Sequence, residues 1–147
     1  MVNPDRNRLA RQFIEAIPFS RALSMNLTEI GNGRAVISMP YNPALVGDPA
    51  SGVIHGGAVS ALMDTCGGAA VMSHPDMPIA TATIDLRIDY MRAAAPGQAI
   101  SAVAECYHVT RSVAFVRAKA YDDDADNPVA AATGAFTFQR PQKEGAE

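Results

Sequence analysis

Between Gly56 and Ser73 the chain reads GGAVSALMDTCGGAAVMS, a stretch that is apolar at helical intervals and nearly free of side-chain bulk. Val59, Leu62, Met63, Cys66, Ala69 and Ala70 recur at i, i+3, i+4 and i+7, which predicts a helix. Gly67, Gly68, Ala69 and Ala70 leave its second half smooth, so that other backbone can approach closely, and such a helix belongs inside a core. His74-Pro75 ends it. Whatever this chain folds into must wrap that helix, and the rest of the sequence has to supply the cover.

The cover reads as strands. Ala82, Ile84, Leu86, Ile88 and Tyr90 alternate with Thr81, Thr83, Asp85, Arg87 and Asp89. Pro96-Gly97 marks a turn. Ile100 to Tyr107, Ser112 to Tyr121 and Val129 to Phe138 then predict three further strands, with the acidic DDDADN run as a solvated turn before the last. Upstream, Met25 to Tyr41 predicts a hairpin turning at Gly31-Asn32-Gly33, with Ala35, Ile37 and Met39 on one face. Asp5 to Ile17 predicts a short amphipathic helix, and PYNPALVGDPASG a long loop of the kind that carries function. Successive strands with tight turns imply an antiparallel sheet, so the expectation is one α+β domain over 1–147, with its core at about 19–139 and a tail at 140–147.

Composition narrows the function classes. A length of 147 residues, 48% hydrophobic and 18% charged, suits a globular domain that needs no disulfide or metal to hold its core. The net charge of −3 and the lack of a basic stripe argue against nucleic acid. Cys66 and Cys106 form no C-x-x-C pattern and read as core thiols in a reducing compartment. No secretory signal pattern and no membrane-length apolar run are present, so a cytoplasmic location is the expectation.

Asp64 is the only charged residue between His55 and His74. It follows Gly57 by seven residues, about 20° short of two full turns, and so shares a helix face with Gly57, Ser60 and Gly68. The small residues there leave space beside the carboxylate. At the helix start, backbone N–H groups lack partners and carry partial positive charge, and Gly56 and Gly57 leave them open to a carbonyl. Such donors can stabilise the oxyanion of an acyl-transfer intermediate. Gly56 and Asp64 lie eight residues apart, about 12 Å along a helix axis, which is too far to serve one carbonyl. If the two cooperate, the second comes from another copy across a two-fold axis, giving two sites per dimer. With no G-x-S-x-G or H-E-x-x-H motif and no assignable triad, the equipment suits a substrate with a good leaving group. A thiol of pKa near 8.5 is one, so thioester cleavage fits.

The frame GVIHGGAVSALMDTCGGAA, then TATIDLRIDYMRAAAPG, then AAATGAFTF resembles the hotdog-fold acyl-CoA thioesterases, in particular the phenylacetyl-CoA thioesterase-like branch of the 4-hydroxybenzoyl-CoA thioesterase type. The likeness runs from about Phe19 to Phe138. It implies a long central helix wrapped by a curved antiparallel sheet of five to six strands, with a short N-terminal helix, assembled as homodimers and often as homotetramers. It implies that Asp64 is nucleophile or general base, that the Gly56 N–H polarises the thioester carbonyl from the opposite subunit, that His55 helps position that carbonyl, and that Thr83 orients the attacking water. Relatives commonly have an asparagine six residues before the histidine, where this chain has Pro49; the preceding Asp48 is the available substitute.

Each residue also has a plainer reading. His55 can be a turn cap, the glycines can merely permit a tight turn into the helix, Asp64 can be a hydrogen-bonded structural carboxylate, and a strand threonine such as Thr83 needs no special reason. Arg92, Arg111 and Arg117 are candidate partners for coenzyme A phosphates, and spacing does not choose among them. The expectation is an acyl-CoA thioesterase with Asp64, Gly56, His55 and Thr83 as catalytic residues and Gly57, Asp48, Ser60, Arg92 and Arg111 at the substrate. It would use no metal and no cofactor, and would bind neither nucleic acid nor membrane. The alternatives are a non-catalytic module binding acyl-CoA or an acyl carrier, and a hydratase or dehydratase on the same fold.

Overall fold

A computed structural model describes residues 4–143. The tail read over 140–147 lies outside the described residues from 144 onward. In chain order the elements are α1 (Pro4–Ala16), α2 (Pro18–Ala22), β1 (Asn26–Gly31), β2 (Arg34–Met39), a 3-10 turn (Pro43–Leu45), β3 (Val46–Asp48), β4 (Val53–Ile54), α3 (Gly56–Met72), β5 (Thr83–Tyr90), β6 (Ile100–Val109), β7 (Val113–Tyr121) and β8 (Ala130–Thr137). Six strands form one antiparallel sheet in the order β1-β2-β6-β7-β8-β5, and the short pair β3-β4 forms a second. The central helix and long strands thus follow the sequence pattern. The Pro-rich loop differs: it folds into the 3-10 turn and the β3-β4 hairpin, in which Asn42 caps the turn by accepting from the Ala44 N–H. Helix α2, too short to show periodicity, was also not apparent from sequence.

The inner face of the sheet explains why α3 can sit so close. Ala35, Ala102, Ala104, Ala114, Ala120 and Ala130 are fully buried there, and α3 answers with its own buried Leu62, Met63, Cys66, Ala69 and Ala70. Small side chains on both surfaces bring helix and strands into close packing, and each large buried side chain contributes about 1.5–3 kcal/mol. The Cys66 thiol, pushed up to about 12 by burial, stays protonated and donates toward the Ala35 and Ala102 carbonyls. Asn32 and Gly33 have φ of 51° and 78°, the left-handed pair that a two-residue hairpin turn requires. The Gly33 N–H then donates to Ser73, tying the hairpin tip to the end of α3.

The acidic turn is not wholly solvated. Asp122 is closed off, with a side chain 2% exposed, and accepts two 2.6 Å hydrogen bonds from the Arg92 guanidinium. The Ala95 N–H donates to the same carboxylate, and Arg92 also reaches the Asn127 carbonyl. The cluster joins the β5-β6 and β7-β8 connections, and the guanidinium holds the Asp122 carboxyl well below the usual carboxylate range. A folded-state value below the unfolded one, near 3.9, gives stability that is present above that pH and lost as pH falls toward the folded value. Asp122→Asn should therefore lower Tm clearly at pH 7, with the gap from the native protein narrowing below about pH 4. Melting curves across pH 2.5–7 measure this, and a constant gap would count against it.

Candidate active site

The site begins at the turn from β4 into α3. His55 is the helix N-cap, with φ −58° and ψ 134°, and its ring Nδ1 accepts the Gly57 N–H at 2.8 Å. A neutral imidazole that accepts at Nδ1 carries its proton on Nε2, so the outward edge of the ring is a donor. A Cβ on Gly57 would lie 2.8 Å from that Nδ1, so glycine there is what lets the ring fold over the helix start. The Gly57 N–H is thereby used up. Among the described residues the Gly56 N–H meets no acceptor, which leaves it as the open donor.

Tyr90, at the end of β5, covers this turn. Its ring edge stands 3.3 Å from where a Gly56 Cβ would be, and its hydroxyl donates to the Gly56 carbonyl at 3.0 Å while Ser60 donates to it in turn. Ser60 is thus engaged with Tyr90. Sequence reading placed Tyr90 only in an apolar alternation; its role as a clamp comes from the pairing of β5 alongside α3, which no local pattern encodes.

Two turns along α3, Asp64 lies on the open helix face with Gly57, Ser60 and Gly68, half-buried rather than enclosed. Thr83 Oγ1 donates to Asp64 Oδ1 at 2.6 Å. Regular alternation would have turned Thr83 the same way as Asp85, Arg87 and Asp89. A register shift between Thr83 and Asp85 against β8 breaks that alternation, and the hydroxyl meets the helix instead. Oδ1 is held and Oδ2 is left for another partner.

Asp64 and Thr83, with Thr65 and Thr81, border a cleft of about 410 Å³ whose other walls are mostly apolar: Phe13, Ile14 and Ile17 of α1 and its exit, Phe19 of α2, Met72 of α3 and Phe136 of β8. Phe19 also borders a smaller cleft of about 290 Å³ with His55, Gly57, Leu45 and Val46. The contribution of α1 and α2 was not anticipated, because nothing local links an amphipathic N-terminal helix to a carboxylate so far along the chain.

The remaining candidates sit apart. Asp48 turns its carboxylate into its own loop, accepting from Ser51 at 2.6 Å and from the Ala50 N–H at 3.1 Å, and these bonds hold its pKa down. Arg92 lines a cleft of about 280 Å³ beside Gly56 and Tyr90, yet its guanidinium is committed to Asp122. Arg111 is exposed at the β6-β7 turn, next to Arg140, which reaches back to Asp76 beyond the C-terminal end of α3. Arg117 stacks on Tyr107. Among the described residues, no three His, Cys, Asp or Glu side chains cluster as metal ligands would, and no helix is long and apolar enough to cross a membrane.

Comparison with known proteins places the chain among thioesterases. The family model of the thioesterase superfamily matches residues 51–129, which contain the helix start, Asp64 and Thr83. A Pseudomonas aeruginosa protein of known crystal structure is 38% identical, with a TM-score of 0.80 over 91% of this chain and 99% of that one. A Halobacterium salinarum protein provisionally named an esterase is 30% identical over 139 residues, 92% of each chain. The medium/long-chain acyl-CoA thioesterase of Escherichia coli is 26% identical over 129 residues, 79% of this chain and 83% of that one.

Proposed function

The chain belongs to the thioesterase superfamily and has its hotdog fold, and from that premise we propose that it hydrolyses an acyl-CoA thioester to a carboxylic acid and coenzyme A, in sites shared between two copies. The observation that carries this reading is the Asp64 carboxylate, fixed by Thr83 at the mouth of an apolar cleft. Oδ2 takes a proton as water attacks the thioester carbon, a C–O bond forms and the carbonyl oxygen becomes an oxyanion. The Gly56 N–H of the second copy donates to that oxyanion, with the positive end of α3 behind it. Collapse breaks the C–S bond, and the proton held by Asp64 goes to the departing thiolate. Thiolate is a good leaving group, so no metal and no cofactor beyond the substrate's own coenzyme A is needed. His55, with its Nε2–H outward, helps position the carbonyl.

The dimer is part of the proposal, and two features support it. Gly56 and Asp64 stand about 12 Å apart along α3, beyond joint reach of one carbonyl. Strand β5 is a sheet edge whose Ile84, Tyr90 and neighbouring Met91 are 58%, 53% and 58% exposed. An open edge flanked by large apolar side chains is a ready surface for a second copy. The free thiols fit a reducing compartment, and the cytoplasm is the proposed location. Purified protein assayed with butyryl- to palmitoyl- and aryl acyl-CoAs, with a thiol-detecting dye, tests the activity. Acid and free coenzyme A in equal amounts are expected; tight binding without thiol release would instead make this a binding module.

A further inference from the structure

The Asp64 cleft continues beneath the N-terminal helix. Phe13, Ile14, Ala69 and Met72 border both that cleft and a second cavity of about 310 Å³, which Leu9, Ala10, Ile30 and Pro78 also line. Among the described residues lining the two cavities, Asp64 is the only charged one, and it lies at one end. Ile14 and Ala69 are buried and fixed in the packing, whereas Phe13 is 65% exposed and Met72 is unbranched and flexible. The removable part of the partition is therefore the Phe13 side chain, which with Met72 lines both cavities.

Resting on the functional reading above, we propose that this trench between α1 and α3 receives the acyl chain of the substrate, that the chain is straight and of medium length, and that Phe13 sets its limit. From Asp64 to Met72 the helix advances eight residues, about 12 Å. An extended hydrocarbon of 1.5 Å bonds advances roughly 1.25 Å per carbon, so about eight to ten carbons reach the Phe13–Met72 partition. A polar thioester at the Asp64 end with its tail toward Leu9 matches the polarity of the trench. The chain would also cover Phe13, an aromatic ring otherwise left in water.

The test is the chain-length profile of kcat/KM from butyryl- to palmitoyl-CoA. In the native protein the value should rise about fourfold per methylene, up to about eight to ten carbons, and then level off or fall. Phe13→Ala should join the two cavities and raise the dodecanoyl-to-octanoyl ratio at least tenfold, Phe13→Trp should lower it, and adding Ala10→Phe to Phe13→Ala should reverse the gain. Because Phe13 is mostly exposed, these proteins should fold, and the readout is a ratio that is insensitive to the amount of active protein. An unchanged ratio in all three would overturn the proposal. If no acyl-CoA is turned over, the functional reading fails on its own. Calorimetry with decanoic acid then judges the trench: binding weakened at least tenfold by Phe13→Trp sustains it, and equal binding overturns it.

Discussion

Asp64→Asn should lower kcat by about a thousandfold or more while leaving the fold intact. The amide keeps the shape of the carboxylate, and its oxygen can still accept from Thr83, so the geometry at Oδ1 survives. What disappears is the oxygen that takes a proton from water, and a positioned general base contributes about 10²–10⁴-fold. Asp64 is only half-buried, on the open face of α3, so little stability depends on its charge. Thiol release measured beside a thermal melt separates the two effects. Activity within tenfold of native, at an unchanged Tm, would remove Asp64 from the chemistry.

Gly134→Val should be the most damaging single change to the fold. Gly134 of β8 lies opposite Leu86 of β5. A Cβ there would meet the Asp85 carbonyl at 2.6 Å and Leu86 Cδ1 at 2.9 Å. The first obstacle is backbone and cannot rotate aside, so β5 must move away from β8. Within the described residues β5 is an edge strand paired only with β8, so no second strand of the same chain holds it in register. The expected cost is about 3 kcal/mol, the upper end for overpacking, or a fall in Tm of roughly 10 °C for a chain of this size. Turnover should fall further than stability alone explains, because displacing β5 draws Thr83 from Asp64 and Tyr90 from Gly56. A denaturant titration alongside the activity assay measures both, and native stability in this variant would contradict the observed register.

The sequence carried most of the architecture because its signals there are local. The small-residue helix, the turn at Asn32-Gly33 and the alternation along the strands each reflect spacing along one element, and α3, β1, β2 and β5 to β8 follow from them, whereas the β3-β4 hairpin does not. The open face of α3 was legible for the same reason: helical geometry alone aligns Gly57, Ser60, Asp64 and Gly68. What could not be read depends on pairing between distant segments. The register shift at Thr83 turns a strand threonine onto the helix carboxylate, and only β8 reveals it. Arg92 reads as a free cation until Asp122 is brought against it by the β7-β8 connection. Tyr90 over Gly56 is likewise a contact between elements, and Phe13 and Met72 line the same clefts only because α1 is packed beside α3. The HGG segment also divides more finely than its letters suggest, since His55 consumes the Gly57 N–H and leaves Gly56 as the donor.

In the proposed mechanism that donor and Asp64 serve different sites on any one chain, and pairing variants of the two residues tests this directly. Gly56→Pro removes the N–H alone: proline is tolerated at the first position of a helix, and the extended His55 backbone accommodates it. The ring of Tyr90, half exposed, can yield the few tenths of an ångström that a Cβ there needs. Each variant by itself should be inactive. In verified heterodimers of Asp64→Ala and Gly56→Pro subunits, one site carries both lesions and the other carries neither, so about half of native turnover per dimer should return. Heterodimers as inactive as the parents would contradict a site built from two chains.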